Sequence, residues 1–154
     1  MKDKSVFLSV FLLLLIAFSN CSDRNNSSSS KNDPIDYSSP EIVAKGFWNV
    51  LKANNADKAK MFYLTIEESK AFPSEVSSKY ANLYNREMTQ IKSHLQTAKD
   101  TNWKEFKIDE EEYLAGHKGV EGTIILERSG EYEITIGLYI VQVSANIWKI
   151  TDAD

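Results

Sequence analysis

Three placements of side chains in this sequence could do chemistry. Cys21 is the single cysteine, and it stands where an apolar N-terminal run gives way to a serine-rich stretch. A thiol at that boundary can be acylated, or it can be an inert buried group. Glu87 and His94 lie seven residues apart in the longest helical pattern of the chain. A carboxylate set among apolar neighbours has its pKa raised, and a raised pKa suits a general acid or base near neutral pH. Asp109-Glu110-Glu111-Glu112 is a carboxylate run. It lacks the glycine and the alternating ligands of a calcium loop, so it reads as a solvated strand edge that discourages edge-to-edge pairing. His94 and His117 are the only histidines, and neither has a second ligand at metal-site spacing. With six glycines in all there is no phosphate-cradling loop. The residues point to no metal and no cofactor, and no catalytic set is assigned.

Cys21 takes its meaning from what precedes it. Met1-Lys2-Asp3-Lys4 carries two lysines, and Val6 to Phe18 is almost wholly Val, Leu, Ile, Phe and Ala. That run is shorter than the roughly 20 residues a spanning helix needs, and it has the length of a signal-peptide core. Phe18-Ser19-Asn20-Cys21 then resembles the cleavage box of a bacterial lipoprotein signal, in the relaxed form seen in spirochaetes. The usual box has Leu where Phe18 stands and Gly or Ala where Asn20 stands. The resemblance implies removal of residues 1–20, acylation of Cys21, and a membrane anchor in the bacterial cell envelope. Ser22 is not the aspartate that retains enterobacterial lipoproteins in the inner membrane, which favours the outer membrane; the face, periplasmic or surface-exposed, stays open. With Cys21 acylated no thiol is left for a disulfide, and stability must come from the core.

Residues 21–39 hold almost nothing apolar beyond Ile35 and Tyr37. Such a stretch cannot bury enough surface to offset the entropy of ordering, so it reads as a disordered tether with a reach of about 25 Å. The net charge of the chain is −4. The first twenty residues carry two lysines against one aspartate, so the chain from Cys21 onward is more acidic still. An acidic chain without a basic cluster is a poor nucleic-acid binder. Membrane attachment must then come from lipid rather than from charge.

Residues 40–154 read as one domain of helices followed by strands. Ser39 caps a first helix with Pro40 in its first position. Val43, Phe47, Val50 and Leu51 recur at helical spacing, and Asn54-Asn55 breaks the pattern. A short second helix is expected from Ala56 or Asp57 to about Tyr63, burying Ala59 and Met61 or Phe62. Thr65 to Glu68 has the form of a capping box. From Pro73-Ser74 a long helix puts Val76, Tyr80, Leu83, Tyr84, Met88, Ile91, Leu95 and Ala98 on one stripe, ending at Asp100-Thr101-Asn102. With Ile91 as origin, Glu87 falls at about −40° and His94 at about −60°, the first inside the stripe and the second on its flank. After Trp103 the period becomes two. Strands are expected around Phe106–Ile108, Val120–Leu126, Tyr132–Ile140 and Ile147–Ile150, with turns at Gly116/Gly119, Ser129-Gly130 and Ser144 to Asn146. Helices followed by a consecutive meander give an α+β class.

The order of elements, with Ser39-Pro40-Glu41, Leu51-Lys52-Ala53, Lys58-Ala59-Lys60 and a closing Trp148-Lys149-Ile150, resembles the nuclear transport factor 2-like superfamily. Its bacterial domains of unknown function, often found behind lipoprotein signals, are the nearest in pattern. The resemblance spans about residues 39–152. It implies a cone in which N-terminal helices pack on a curved antiparallel sheet and the long helix crosses the concave face. Glu87, His94, Tyr84 and Tyr80 would then project towards a pocket. Glu87 and His94 stand two turns apart, about 10 Å, and would act on opposite ends of a ligand. This superfamily hosts enzymes and plain binding modules alike. The leading expectation is a non-enzymatic, membrane-anchored envelope module for a protein partner or small ligand. The alternatives are an isomerase or dehydratase using Glu87, and a structural surface module without a ligand.

Overall fold

The computed structural model describes residues 34–114, 116–129 and 133–154. Cys21, the apolar run before it and most of the serine-rich stretch lie outside those residues, as do Gly130 and Tyr132. Four helices come first: α1 (Pro40–Lys52), α2 (Ala56–Lys60), α3 (Ile66–Ser69) and α4 (Ser74–Lys99). Four strands come after them: β1 (Thr101–Leu114), β2 (His117–Arg128), β3 (Glu133–Ser144) and β4 (Ile147–Ala153). They form one antiparallel sheet in the order β1-β2-β3-β4, against which the helices pack. The class is α+β, as the pattern predicts.

Local chemistry starts and stops the helices where the sequence says. Ser39 Oγ accepts from Ile42 N at 3.2 Å, and Pro40 occupies the first turn of α1. Asn54 turns the chain in the left-handed region at φ 56°, a conformation asparagine tolerates. Asn55 Oδ1 then caps α2 at 2.9 Å. Thr65 and Glu68 form the reciprocal box that opens α3. At the far end of α4, the Lys52 ammonium donates to the carbonyls of Ala98 (3.0 Å) and Thr101 (2.6 Å), so α1 caps the C-terminus of α4.

Several elements depart from their expected bounds. The second helix stops at Lys60, because the next residues serve the sheet. Leu64 N donates to Ile150 O at 2.8 Å and Ile150 N to Phe62 O at 3.0 Å, which covers the outer edge of β4. Phe62 is buried and Met61 exposed. β1 begins at Thr101, directly after the helix. Gly119 lies within β2, away from the turn; a Cβ there would meet the Tyr139 hydroxyl at 2.5 Å, so the absent side chain makes room for Tyr139. Residues 35–39, expected in the tether, belong to the folded unit. Ile35 and Tyr37 pack on the core, and the compact unit begins at Ile35. Tyr37 meets Phe62 edge-on at 5.9 Å, carries the Lys149 ammonium 3.9 Å over its ring, and donates to Met61 O at 2.9 Å. A tyrosine with both an apolar body and a satisfied hydroxyl docks where serine composition alone gives no hint.

The main core joins Phe47, Leu51, Phe62, Tyr63, Ile91, Ile124, Leu126, Leu138, Ile140 and Ile150. A smaller cluster forms around Leu64, Phe72, Tyr80 and Val141, flanked by Val76, Leu83 and Tyr84. The acidic run lies on the edge strand β1, whose pairing with β2 carries two register shifts. Its carboxylates take neighbours: Thr123 donates to Asp109 at 2.6 Å, Lys118 pairs with Glu111 at 2.8 Å, and the Tyr139 hydroxyl donates to Glu112.

Candidate functional site: an apolar cavity beside a latched edge strand

The smaller cluster leaves space. A cavity of about 260 Å³ opens between Leu64 and the end of α3, the first turns of α4, and strands β3 and β4. Phe72, Val76, Leu83 and Val141 supply apolar wall. The hydroxyls in the lining are turned away from it by bonds to the backbone. Ser69 Oγ donates to Ile66 O at 2.7 Å, Thr151 Oγ1 to Tyr139 O at 3.2 Å, and Tyr80 OH to Leu64 O at 2.5 Å. With those groups spent, the walls offer apolar contact and little else. Among the described residues, Lys79 is the one charged side chain of the lining. An apolar cavity of about 150 Å³ holds benzene, so the space here suits a branched hydrocarbon or a chain of about eight carbons. A second cavity of about 290 Å³ shares Leu83 and Thr151 with the first. Its further lining includes Glu121, Gly137, Tyr139, Asp152 and Asp154.

Of the four residues expected to face a pocket, Tyr80 lines the first cavity. Tyr84 stands behind it, ring centroids 6.1 Å apart. Glu87 and His94 line neither cavity. They take the two sides of one residue. Ala153 N donates to Glu87 Oε2 at 2.9 Å, and His94 Nε2 meets Ala153 O at 3.2 Å. A carbonyl accepts, so His94 carries its proton on Nε2. The physical reason is the edge. β4 has β3 on one side only, and the 62–64 segment reaches Ile150 but not Ala153, so side chains of α4 complete the last backbone pair. Gln90 joins them: with its amide nitrogen turned inward it reaches Ala153 O at 3.1 Å and Glu87 Oε1 at 3.0 Å.

Glu87 is wholly buried, beyond the partial burial expected of a residue on the stripe. Burial raises its pKa from 4.5 to about 7, against the lowering effect of the Ala153 N–H; neighbouring Asp152 raises it further and Arg86 lowers it. Arg86 bridges the two carboxyls, with Nε 3.2 Å from Glu87 and Nη2 3.0 Å from Asp152. Burial likewise lowers the pKa of His94, which keeps the imidazole neutral. Among the described residues the buried Tyr63 hydroxyl finds no hydrogen-bond partner; burial, then Glu87, pushes its pKa up. Among the described residues no three His, Cys, Asp or Glu side chains gather to hold a metal, and no helix is long and apolar enough to cross a membrane.

Some participants were hidden in the sequence. Gln90 lies one turn from Glu87 on the same face of α4, and that spacing was a usable signal. Asp152, Leu64 and Phe72 carry no such mark, because distant pairings bring them in. Comparison with protein-family models, with curated proteins and with solved structures finds no match to this chain.

Proposed function

We propose that this chain is a lipid-anchored protein of the bacterial envelope whose domain, of the nuclear transport factor 2-like kind, is a non-enzymatic binding module for an apolar group. The observation that carries the binding role is the cavity of about 260 Å³ whose hydroxyls are all bonded back to the main chain. Such a wall recognises a ligand by the area it removes from water, at about 25 cal/mol per Å². The raised pKa of Glu87 belongs to a strand latch, because the carboxylate borders neither cavity and is occupied by Ala153, Arg86 and Gln90. The order of helices before a four-stranded antiparallel sheet supports the superfamily. The lone Cys21 after the apolar run supports the anchor.

Hexanol titrated into the protein should shift the methyl resonances of Val76, Leu83 and Val141 saturably. Val141→Phe, which fills the cavity, should abolish that shift while the fold stays intact. Saturable binding that survives Val141→Phe would contradict the cavity as the site.

The anchor has its own test. Labelled palmitate fed to producing cells should enter the wild-type protein and not Cys21→Ser, since two acyl signals on one cysteine give stable anchoring where one chain gives marginal binding. Incorporation into Cys21→Ser, or a mature N-terminus other than Cys21, would contradict it.

A further inference from the structure

We infer that the apolar cavity and the acidic cavity beside it form one groove for a small alkylammonium amphiphile, with the hydrocarbon tail among Phe72, Val76 and Val141 and the cation over Asp152 and Asp154. The inference rests on the binding role proposed above and assigns its ligand class. Leu83 and Thr151 belong to the walls of both cavities, so the two spaces adjoin at those side chains. The first is apolar. The second is lined by three carboxylates, Glu121, Asp152 and Asp154, and, among the described residues, by no basic side chain.

The strand register explains why these carboxylates converge. Tyr139 pairs with Glu121 on β2 and with Asp152 on β4, and directly paired residues project to the same face. Glu121 and Asp152 therefore flank one tyrosine with like charge. Asp154 lies two positions beyond Asp152, which returns it to the same side. Its backbone pairs with Gly137 through bonds of 2.8 and 3.2 Å, and its carboxylate lies where a side chain at Gly137 would stand, 2.6 Å from the position of a Cβ. Between the two aspartates, Ala153 is held on both backbone groups by α4. The carboxylates are thus carried on a fixed stretch of strand, and like charges fixed together cost energy that a ligand cation removes. Arg86 takes one oxygen of Asp152 and offsets part of that charge. Lys79 lines the first cavity from α4, one turn before Leu83, the residue shared with the acidic cavity. An amine at the acidic end is matched there, and a carboxylate would meet three like charges.

Three six-carbon probes separate the terms: hexylammonium, hexanol and hexanoate. They are titrated into the full chain in phosphatidylcholine nanodiscs, with the Val76 and Val141 methyl resonances read against free ligand. Hexylammonium should bind about tenfold more tightly than hexanol, and hexanoate more weakly than either. In the triple variant Glu121→Gln/Asp152→Asn/Asp154→Asn the two favoured affinities should converge, with hexanol unchanged as the check on the fold. Equal affinity of hexanol and hexylammonium for the wild type overturns the cation site while leaving the apolar cavity standing. A hexylammonium preference that persists in the triple variant also overturns it. Failure of all three probes to bind removes the apolar cavity and the cation site together.

Discussion

Between pH 4.5 and pH 8 the wild-type domain should lose about 3 kcal/mol of stability relative to Glu87→Gln. The sign comes from the direction of the shift. Glu87 keeps its proton in the folded chain up to a pKa of about 7, whereas the unfolded chain gives it up near the usual 4.5. Over that window the native state binds more protons than the unfolded state, so stability falls as pH rises and levels off above 7. The glutamine variant has no carboxyl to ionise and retains an oxygen to accept from Ala153 N–H. At pH 8 it should be the more stable protein. The buried His94 acts oppositely: its folded pKa is depressed, so its contribution grows as pH rises towards 6.5. That effect is common to both proteins and cancels in the difference. Chemical denaturation at half-unit pH steps measures it. A difference that does not vary with pH, or a glutamine variant less stable at pH 8, would show that the carboxylate is held charged by Arg86 and Gln90 and is not strained by burial.

Phe47→Ala should cost about 3–5 kcal/mol, the largest loss expected of a single truncation in α1. Phe47 is fully buried and meets Phe62 at 6.0 Å, Tyr63 at 5.7 Å and His94 at 6.3 Å between ring centroids. Its ring therefore joins α1 to the 62–64 segment that covers β4 and to the helix that latches β4. Losing it leaves a cavity that three stiff aromatic neighbours cannot close, which puts the cost at the high end of the range. Val50→Ala, on the same helix at a half-buried position, should cost well under half as much. Equal costs at the two sites would mean that the aromatic junction is not what holds the helices to the sheet.

Periodicity made most of the architecture readable. Stripe spacing in Val76 to Ala98 located α4, and the change to period two after Trp103 located the sheet. The caps at Ser39 and Thr65 were local chemistry and could be read locally. Glu87 was readable as an anomaly, since a carboxylate inside an apolar stripe must be buried, bent aside or bonded. Its partner was not readable. Ala153 lies 66 residues away and contributes only backbone, which has no letter in the sequence. The same applies to the cavity. Leu64, Phe72 and Val141 look like ordinary core residues, and the wall between them is apolar because Tyr80, Ser69 and Thr151 turn their hydroxyls to the main chain. Composition assigns residues 35–39 to the tether because it weighs every residue alike, while the packing of Ile35 and Tyr37 on the core docks the segment.

Xenon pressed into crystals of the domain tests the binding cavity most directly, because xenon occupies apolar space without needing a polar partner. The expected result is a single strong site in contact with Phe72, Val76 and Val141, absent in crystals of Val141→Phe. A cavity that stays empty under xenon, or one already closed by the Phe72 or Leu83 side chain, would contradict the binding role proposed for this domain.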